Sequence, residues 1–357
     1  MKEGDSLSMV EDHAERLVHE AYSQGATDIH FIPRKVDCLI KFRLGSDLLA
    51  KETIPKSLSS KLISHFKFLA SMDIGEKRRP QIGSLMLSIQ KKLINLRLST
   101  LPTPNDESLV IRLLPQEESF PISELSLFPN STKTLLSFMM HSHGLIIFTG
   151  PTGSGKTTTL YSLLNASNEE INRNVITLED PIEKHSDQIL QVQVNEKAGI
   201  TYATGLKAIL RHDPDIIMVG EIRDEETAKV AVRAALTGHL VLSTMHTKDA
   251  KGAIYRLLEF NISMQEIEQT LIAVVAQRLV QIKCPYCGED CSSLCKKVRR
   301  SKRVSVYELL YGKSLSSVIG EAKGDGLTYS YPTLPDLIKK GIALGYLPTR
   351  SLKGWET

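Results

Sequence analysis

The run Gly150-Pro151-Thr152-Gly153-Ser154-Gly155-Lys156-Thr157-Thr158 follows an apolar stretch, Leu145-Ile146-Ile147-Phe148. It matches the pattern G-x-x-x-x-G-K-[ST], in which backbone N–H groups cradle phosphates and the lysine reaches the β and γ phosphates. Gly150, Gly153 and Gly155 let the backbone come close to the ligand, and a helix opening at Lys156 aims its positive end at it. The Thr157 hydroxyl is placed to hold Mg²⁺. ATP with Mg²⁺ is the expected ligand, since the chain has no Asn-Lys-x-Asp segment to read guanine.

Two acidic sets follow. Ile216-Ile217-Met218-Val219 is apolar enough to be a central strand, and it ends in Gly220-Glu221. An acid at such a tip handles Mg²⁺ or the attacking water, and here a glutamate stands where an aspartate is usual. Val175-Ile176-Thr177-Leu178 ends in Glu179-Asp180, with Glu183 nearby. A carboxylate there can orient water for in-line attack, although Asp180-Pro181 also reads as an ordinary turn. His239 and His246 bracket a further apolar strand, and either is a candidate for sensing the γ phosphate or for a purely structural role.

These side chains need a scaffold that brings strand ends together. Strand patterns at Leu145–Thr149, Val175–Glu179, Ile216–Val219 and Leu240–Thr244 alternate with helices that follow Lys156, Tyr202, Asp224 and Asp249. Such alternation predicts an α/β core with a parallel sheet, spanning 131–283. Before it, a helix over Ser8–Gln24, strands at Asp28–Ile32 and Cys38–Leu44, a helix over Leu58–Met72 and strands at Ser84–Ile89, Leu93–Ser99 and Ser108–Leu114 predict a small α+β domain over 1–114. Pro115, Pro121 and Pro129 mark 115–130 as a linker. Periodicity weakens after Cys284, which suggests a C-terminal module over 284–357.

The net charge of +3 over 357 residues is too small for whole-surface attraction to nucleic acid, so direct DNA binding is not expected. No apolar run approaches the roughly 20 residues of a membrane span, and the N-terminal stretch lacks the apolar region of a secretory signal. A cytoplasmic protein, peripheral to any membrane, is expected. Cys38 reads as a small buried hydrophobe. Cys284, Cys287, Cys291 and Cys295 are spaced to close a tetrahedral zinc site, or they are four reduced thiols. Directly after them, Lys296 to Arg303 holds six positive charges in eight residues. That run is a solvated face, a contact for anionic lipid or for an acidic membrane-protein surface, or, least favoured, a DNA contact.

In this order and spacing the motifs resemble one family, the secretion and type IV pilus assembly ATPases. The phosphate loop at Gly150–Thr157, the acidic box at Thr177–Glu183, the glutamate-ended strand at Ile216–Glu221 and the histidine box at Thr237–Thr247 all match. Thr27-Asp28-Ile29-His30 is similar to the family's S-D-I-H, and Arg97 to Pro102 with Val110-Ile111-Arg112 is similar to its arginine-bearing strands. The chain departs from the family's P-Q-D-G-R at Ile82 and Ser84. Within the family, His65–Ile74, His212 before Asp213-Pro214-Asp215, and Ala250–Phe260 resemble the competence ATPases, which serve a DNA-uptake pseudopilus.

The resemblance implies a RecA-like core, a PAS-like N-terminal domain and a ring of six. It implies ATP hydrolysis that powers pseudopilus assembly from the cytoplasmic face of the cell membrane, against a polytopic inner-membrane platform protein. Lys156 would bind phosphate, Glu179 would activate water and Glu221 would contact Mg²⁺. His246 joins them as a candidate catalytic residue, while Arg97 and Arg112 would neutralise γ-phosphate charge within the ring. The alternative is a phosphate-loop nucleic-acid translocase or helicase. Against it stand the acidic box followed by a histidine box and the lack of an aromatic-plus-basic groove pattern.

Overall fold

Buried and part-exposed residues alternate along Asp37–Leu44, whereas Gly144–Thr149 and Ile216–Val219 are buried throughout. The first pattern belongs to a sheet covered on one face and the second to a sheet covered on both. The structure, a computed structural model describing residues 3–44, 47–89, 92–115, 121–288, 295, 303–324 and 330–352, contains one of each. They lie in two compact units, Met1–Glu118 and Ser119–Thr357.

The first unit runs α1 (Glu3–Ser23), β1 (Asp28–Pro33), β2 (Asp37–Leu44), β3 (Asp47–Pro55), α2 (Lys56–Leu69), β4 (Gln81–Ile89), β5 (Lys92–Thr103) and β6 (Asp106–Pro115). Its antiparallel sheet has the order β3-β2-β1-β6-β5-β4. Leu17 and Val18 of α1 and Leu62 and Phe66 of α2 pack in one core with Ile29, Phe31, Ile40, Phe42, Leu96 and Ile111. Cys38 is buried there, as expected. Lys67 and Glu107 form a buried ion pair with Nζ–O distances of 2.8 and 2.9 Å. Strand β3 carries no clear apolar alternation because it is a mostly exposed edge.

The second unit runs α3 (Ile122–Leu125), α4 (Pro129–Phe138), β7 (Gly144–Thr149), α5 (Lys156–Ile171), β8 (Val175–Glu179), β9 (Leu190–Gln193), α6 (Tyr202–Ile209) and β10 (Ile216–Val219). It continues through α7 (Glu225–Leu236), β11 (Leu240–Met245), α8 (Ala250–Glu259), α9 (Met264–Thr270), β12 (Leu271–Gln281), β13 (Arg303–Tyr311), α10 (Gly312–Lys323) and α11 (Leu334–Ala343). The sheet order is β13-β12-β7-β11-β10-β8-β9, parallel except for β13 at the edge. Alternate strand residues feed two cores. Ile146, Phe148 and Met218 meet α4 and α5 on one face, and Leu145, Ile147, Ile217 and Val219 meet α6 to α11 on the other.

Two expectations about boundaries differ from this arrangement. β13 pairs with β12 along nine residues, and α10 and α11 pack on the same core, so these C-terminal elements complete the sheet rather than forming a module of their own. Within the expected linker, residues 122–125 are helical and residues 129–130 open helix α4, and both stretches belong to the second unit. In both cases long-range packing supplies what a weak local pattern does not show. Among the described residues, no helix is long and apolar enough to cross a membrane.

Neighbouring residues of β13 reach opposite faces. The Tyr307 hydroxyl is 2.9 Å from the Thr159 hydroxyl on α5. Buried Glu308 accepts from the first N–H of α8, at Ala250 (3.0 Å), and the first N–H of α11, at Leu334 (2.9 Å). Helix starts leave such N–H groups without intrahelical partners, so one carboxylate serves two helices. Removing it leaves both donors buried, at a cost on the order of 3 kcal/mol. Glu308→Ala is therefore expected to lower the urea midpoint markedly at an unchanged slope, and Glu308→Gln, which keeps one acceptor, by less. An unchanged midpoint in both variants contradicts this account.

Candidate nucleotide site

The phosphate loop leaves the carboxyl end of β7 and enters α5 through Gly155, whose φ of 86° is the left-handed conformation that favours glycine. Gly150 has a φ of 146°, and a Cβ there would lie 2.6 Å from the Gln277 carbonyl oxygen of β12. Only glycine lets the loop pass that close to a neighbouring strand. Lys156 is buried and folds back over the loop, donating to the carbonyls of Gly150 (2.7 Å) and Pro151 (3.2 Å). Burial lowers its proton affinity and nearby Arg278 adds to this, while Glu221 and Glu183 oppose it. Ser154 Oγ is buried in the loop without a hydrogen-bond partner. A glycine-lined turn, an unsatisfied hydroxyl, a lysine and a helix N-terminus together fit a nucleoside triphosphate. Thr157, in the first turn of α5, is half-buried.

Parallel strands deliver their carboxyl ends to one side of a sheet, and the acids arrive there. Glu179 ends β8 and is 3% exposed. Its Oε1 accepts from Tyr161 (2.5 Å) and Thr177 (2.8 Å), and its carboxylate also accepts from the Glu183 backbone. Burial pushes its proton affinity above the usual carboxylate range, and these hydrogen bonds restrain the rise. Glu221, just past β10, is bonded to Arg223 and lies 3.8 Å from His246 Nε2. Glu221, Arg223, His246, Thr247, Asp249 and Tyr255 line an open cleft of about 750 Å³.

The two histidines part company. His246 follows β11 at its carboxyl end, beside Glu221. His239 precedes the strand, with Nδ1 3.1 Å from the Ala234 carbonyl at the end of α7. Six residues of strand separate them by about 20 Å, so His246 stands on the side of the sheet where Glu179 and Glu221 arrive and His239 stands on the other. Thr149 and Thr247, their hydroxyls 2.7 Å apart, tie the start of the phosphate loop to the histidine box.

Residues not singled out from sequence also shape the site. Arg278 of β12 donates to the Lys248 carbonyl (2.7 Å), and its Nη1 would lie 2.9 Å from a Cβ on Gly150. Gln277 donates to Ser305 Oγ (2.9 Å) beneath the loop. A Gln-Arg pair interrupting the apolar run Leu271-Ile272-Ala273-Val274-Val275-Ala276 was the available clue. Tyr161 and Gln191 gave no such clue, since a tyrosine on an amphipathic helix reads as packing.

In the first unit, Arg112 on β6 and Arg97 on β5 are opposite one another in register, and Arg112 is opposite Asp28 on β1. Arg112 Nε donates to Asp28 Oδ1 at 2.8 Å. Burial pushes the Asp28 carboxyl up, but hydrogen bonds from Arg112 and Thr27 outweigh it and hold the group below its usual range. Arg97 is half-buried, whereas Arg112 is largely exposed.

The sulfur atoms of Cys284, Cys287 and Cys295 lie within 4.8 Å of one another, Cys284 and Cys295 at 3.5 Å. Cys284 and Gly288 exchange backbone hydrogen bonds of 2.9 Å, and the Cys287 N–H points to Cys284 Sγ at 3.4 Å. This soft donor set fits a zinc ion. Cys291 and residues 296–302 of the basic run lie outside the described residues.

Comparison with known proteins places these features. A family model described as Type II/IV secretion system protein matches residues 3–346. The chain is 59% identical over 350 residues to Competence protein ComGA of Bacillus subtilis (strain 168), covering 98% of each chain. It is 42% identical over 351 residues to Competence protein ComGA of Halalkalibacterium halodurans, covering 97% of this chain and 99% of the other. It is 44% identical over 274 residues to Type II secretion system protein E of Pseudomonas aeruginosa, a match spanning 76% of this chain and 54% of that protein. The crystal structure of the pilus retraction motor PilT with bound ADP superposes with a TM-score of 0.72 at 26% identity, covering 94% and 95% of the two chains. The Legionella pneumophila ATPase DotB, at 21% identity and a TM-score of 0.71 over 95% and 94%, shares the fold.

The closeness of Gly150 to β12 generates a sharp expectation. Gly150→Ala combines an unfavourable φ with a backbone clash, so the loop must shift away from Gln277. Affinity for a fluorescent ATP analogue is expected to fall at least about tenfold, the effect of losing about 1.4 kcal/mol of phosphate contacts. Gly153→Ala, with open space around its Cβ but a φ of 79°, is expected to lose less. Equal affinities for wild type and the Gly150 variant would rule out the close approach as a determinant.

Proposed function

The chain belongs to the type II/IV secretion system protein family, and we propose that it is an ATP-hydrolysing motor that powers assembly of a competence pseudopilus for DNA uptake. The observation that carries the reading is the meeting of the phosphate loop, Glu179, Glu221 and His246 at the carboxyl end of one parallel sheet. The near-full-length identity to competence proteins directs that motor to competence. It works as a ring of six at the cytoplasmic face of the membrane, bearing on a polytopic platform protein.

Mg²⁺ bound with ATP would neutralise phosphate charge, with Thr157 and Glu221 as the residues to hold it. Lys156 turns from the loop carbonyls to the β and γ phosphates. Glu179, dry and raised in proton affinity, orients the attacking water and accepts its proton. His246 reports on the γ phosphate through Glu221. Arg97 and Arg112 supply positive charge for the transition state in the assembled ring. Lys156→Ala is expected to abolish nucleotide binding or turnover. Glu179→Gln and Glu221→Gln are expected to bind ATP and hydrolyse it at least about a hundredfold more slowly. Arg97→Ala and Arg112→Ala should slow turnover without weakening ATP binding. Wild-type phosphate release by both Gln variants would sink the assignment.

The proposal extends to a zinc ion held by Cys284, Cys287, Cys295 and Cys291, whose cage would orient the basic run towards an anionic lipid or the platform protein. Metal analysis of protein purified without chelator is expected to find about one zinc per chain, lost in Cys284→Ser. Metal-free wild-type protein would remove this part of the reading.

A further inference from the structure

Glu179 is positioned by a hydrogen-bonded chain that starts outside the nucleotide loop. Thr177 and Glu179 lie two residues apart on β8 and so share a face, the one covered by α5. Gln191 of β9 stands beside Thr177 in register. Its Nε2 donates to the Tyr161 hydroxyl (2.7 Å) and to the Lys184 carbonyl (2.8 Å), while its Oε1 accepts from the Ser186 N–H (2.9 Å). Those three partners fix the orientation of the amide, since a flipped amide would set its oxygen against the Lys184 carbonyl. The Tyr161 oxygen therefore accepts from Gln191, and its proton has one destination, Glu179 Oε1 at 2.5 Å.

Tyr161 is 1% exposed and packs among Phe148, Leu160 and Leu164 in a core where phenylalanine would fill the same space. Its hydroxyl is thus unnecessary for burial, and it is spent wholly on linking Gln191 to Glu179. Gln191 in turn holds the segment between β8 and β9 at two backbone points, Lys184 and Ser186. The same segment contributes the Glu183 N–H that bonds Glu179 directly.

We propose that Tyr161 and Gln191 are positioning residues, a relay that aims the Glu179 carboxylate at the attacking water and makes its aim depend on where the 180–189 segment sits. This rests on the reading of Glu179 as the base. With Thr177 and Tyr161 both bonded to Oε1, the relay fixes the rotation of the carboxyl group and thereby the direction of its other oxygen. A shift of the segment pulls Gln191, frees the tyrosine hydroxyl and lets the carboxylate turn. Hydrolysis is then gated while nucleotide binding, which the loop around Lys156 performs, stays intact.

The test is a mutant cycle on the full-length chain, read by single-turnover hydrolysis of radiolabelled ATP alongside titration with a fluorescent ATP analogue. Tyr161→Phe is expected to lower the hydrolysis rate about tenfold, the size of one hydrogen bond to a charged group, with analogue affinity changed less than about twofold. Gln191→Leu, at a half-buried strand position, should move the rate in the same direction. In a Glu179→Gln background neither change should slow hydrolysis further, because the group they aim is already gone. A tenfold loss that persists in that background, a loss matched by weaker binding, or wild-type rates in both single variants would overturn the relay. Wild-type hydrolysis by Glu179→Gln alone would instead overturn the assignment of the base, and the relay with it. Should Tyr161→Phe prove poorly folded by its thermal midpoint, Gln191→Leu decides the question by the same cycle.

Discussion

The closeness of Gly150 to the backbone of β12 is the constraint on which the site depends. β7 is held between β11 and β12, so the loop that leaves its end is moulded against a wall it cannot push back. The wall is Gln277. Its carbonyl faces Gly150, and its amide nitrogen would sit 3.0 Å from a Cβ on Gly155, at the mouth of α5. One residue of β12 thus meets the first and last glycines of the loop. Gln277 is itself fixed through Ser305 of β13, so the phosphate-binding turn inherits its shape from the strands at the C-terminal edge of the sheet.

Burial drives the groups around that turn towards their neutral forms. Lys156 and Arg278 lose proton affinity and Glu179 gains it, each chiefly from desolvation. The arrival of a triphosphate acts oppositely on the two kinds of group. Negative phosphate charge favours the protonated lysine and arginine, and it disfavours an ionised Glu179. A shift of one pKa unit corresponds to about 1.4 kcal/mol, so the donors that restrain Glu179 act on a scale that matters for its protonation. Hydrogen bonds from Tyr161, Thr177 and the Glu183 backbone keep an ionised carboxylate possible where the solvent does not.

The placement of the candidate site residues was legible where residue type and position both carried it. The phosphate loop, the apolar strands ending in Glu179 and Glu221, and His246 could be read because each motif sits at a strand end whose neighbours are uniformly apolar. Features set by long-range pairing could not. β12 is an apolar run that periodicity cannot separate from a helix, β3 is an exposed edge, and β13 joins the sheet only because β12 offers it a partner. His239 looked equivalent to His246 because a one-dimensional chain hides which end of a strand faces the ligand. Tyr161 and Gln191 were invisible for another reason. Their hydroxyl and amide gain meaning only when α5, β8 and β9 are brought together in three dimensions.

The edge strand β13 then has a part beyond closing the sheet. Because successive side chains alternate in direction, Tyr307 reaches α5, which carries the phosphate loop, while Glu308 reaches α8, which follows the histidine box. These two helices lie on opposite faces and share no direct hydrogen bond among those described. A displacement of either one pulls on one of two adjacent residues whose backbone is locked in register with β12. Since β12 also forms the wall behind Gly150 and carries Arg278 to the Lys248 carbonyl, the strand pair joins the phosphate loop and the histidine box by a second route beside the Thr149–Thr247 contact. The two halves of the nucleotide site are therefore connected at both the centre and the edge of the sheet, and neither can move without straining a buried hydrogen bond.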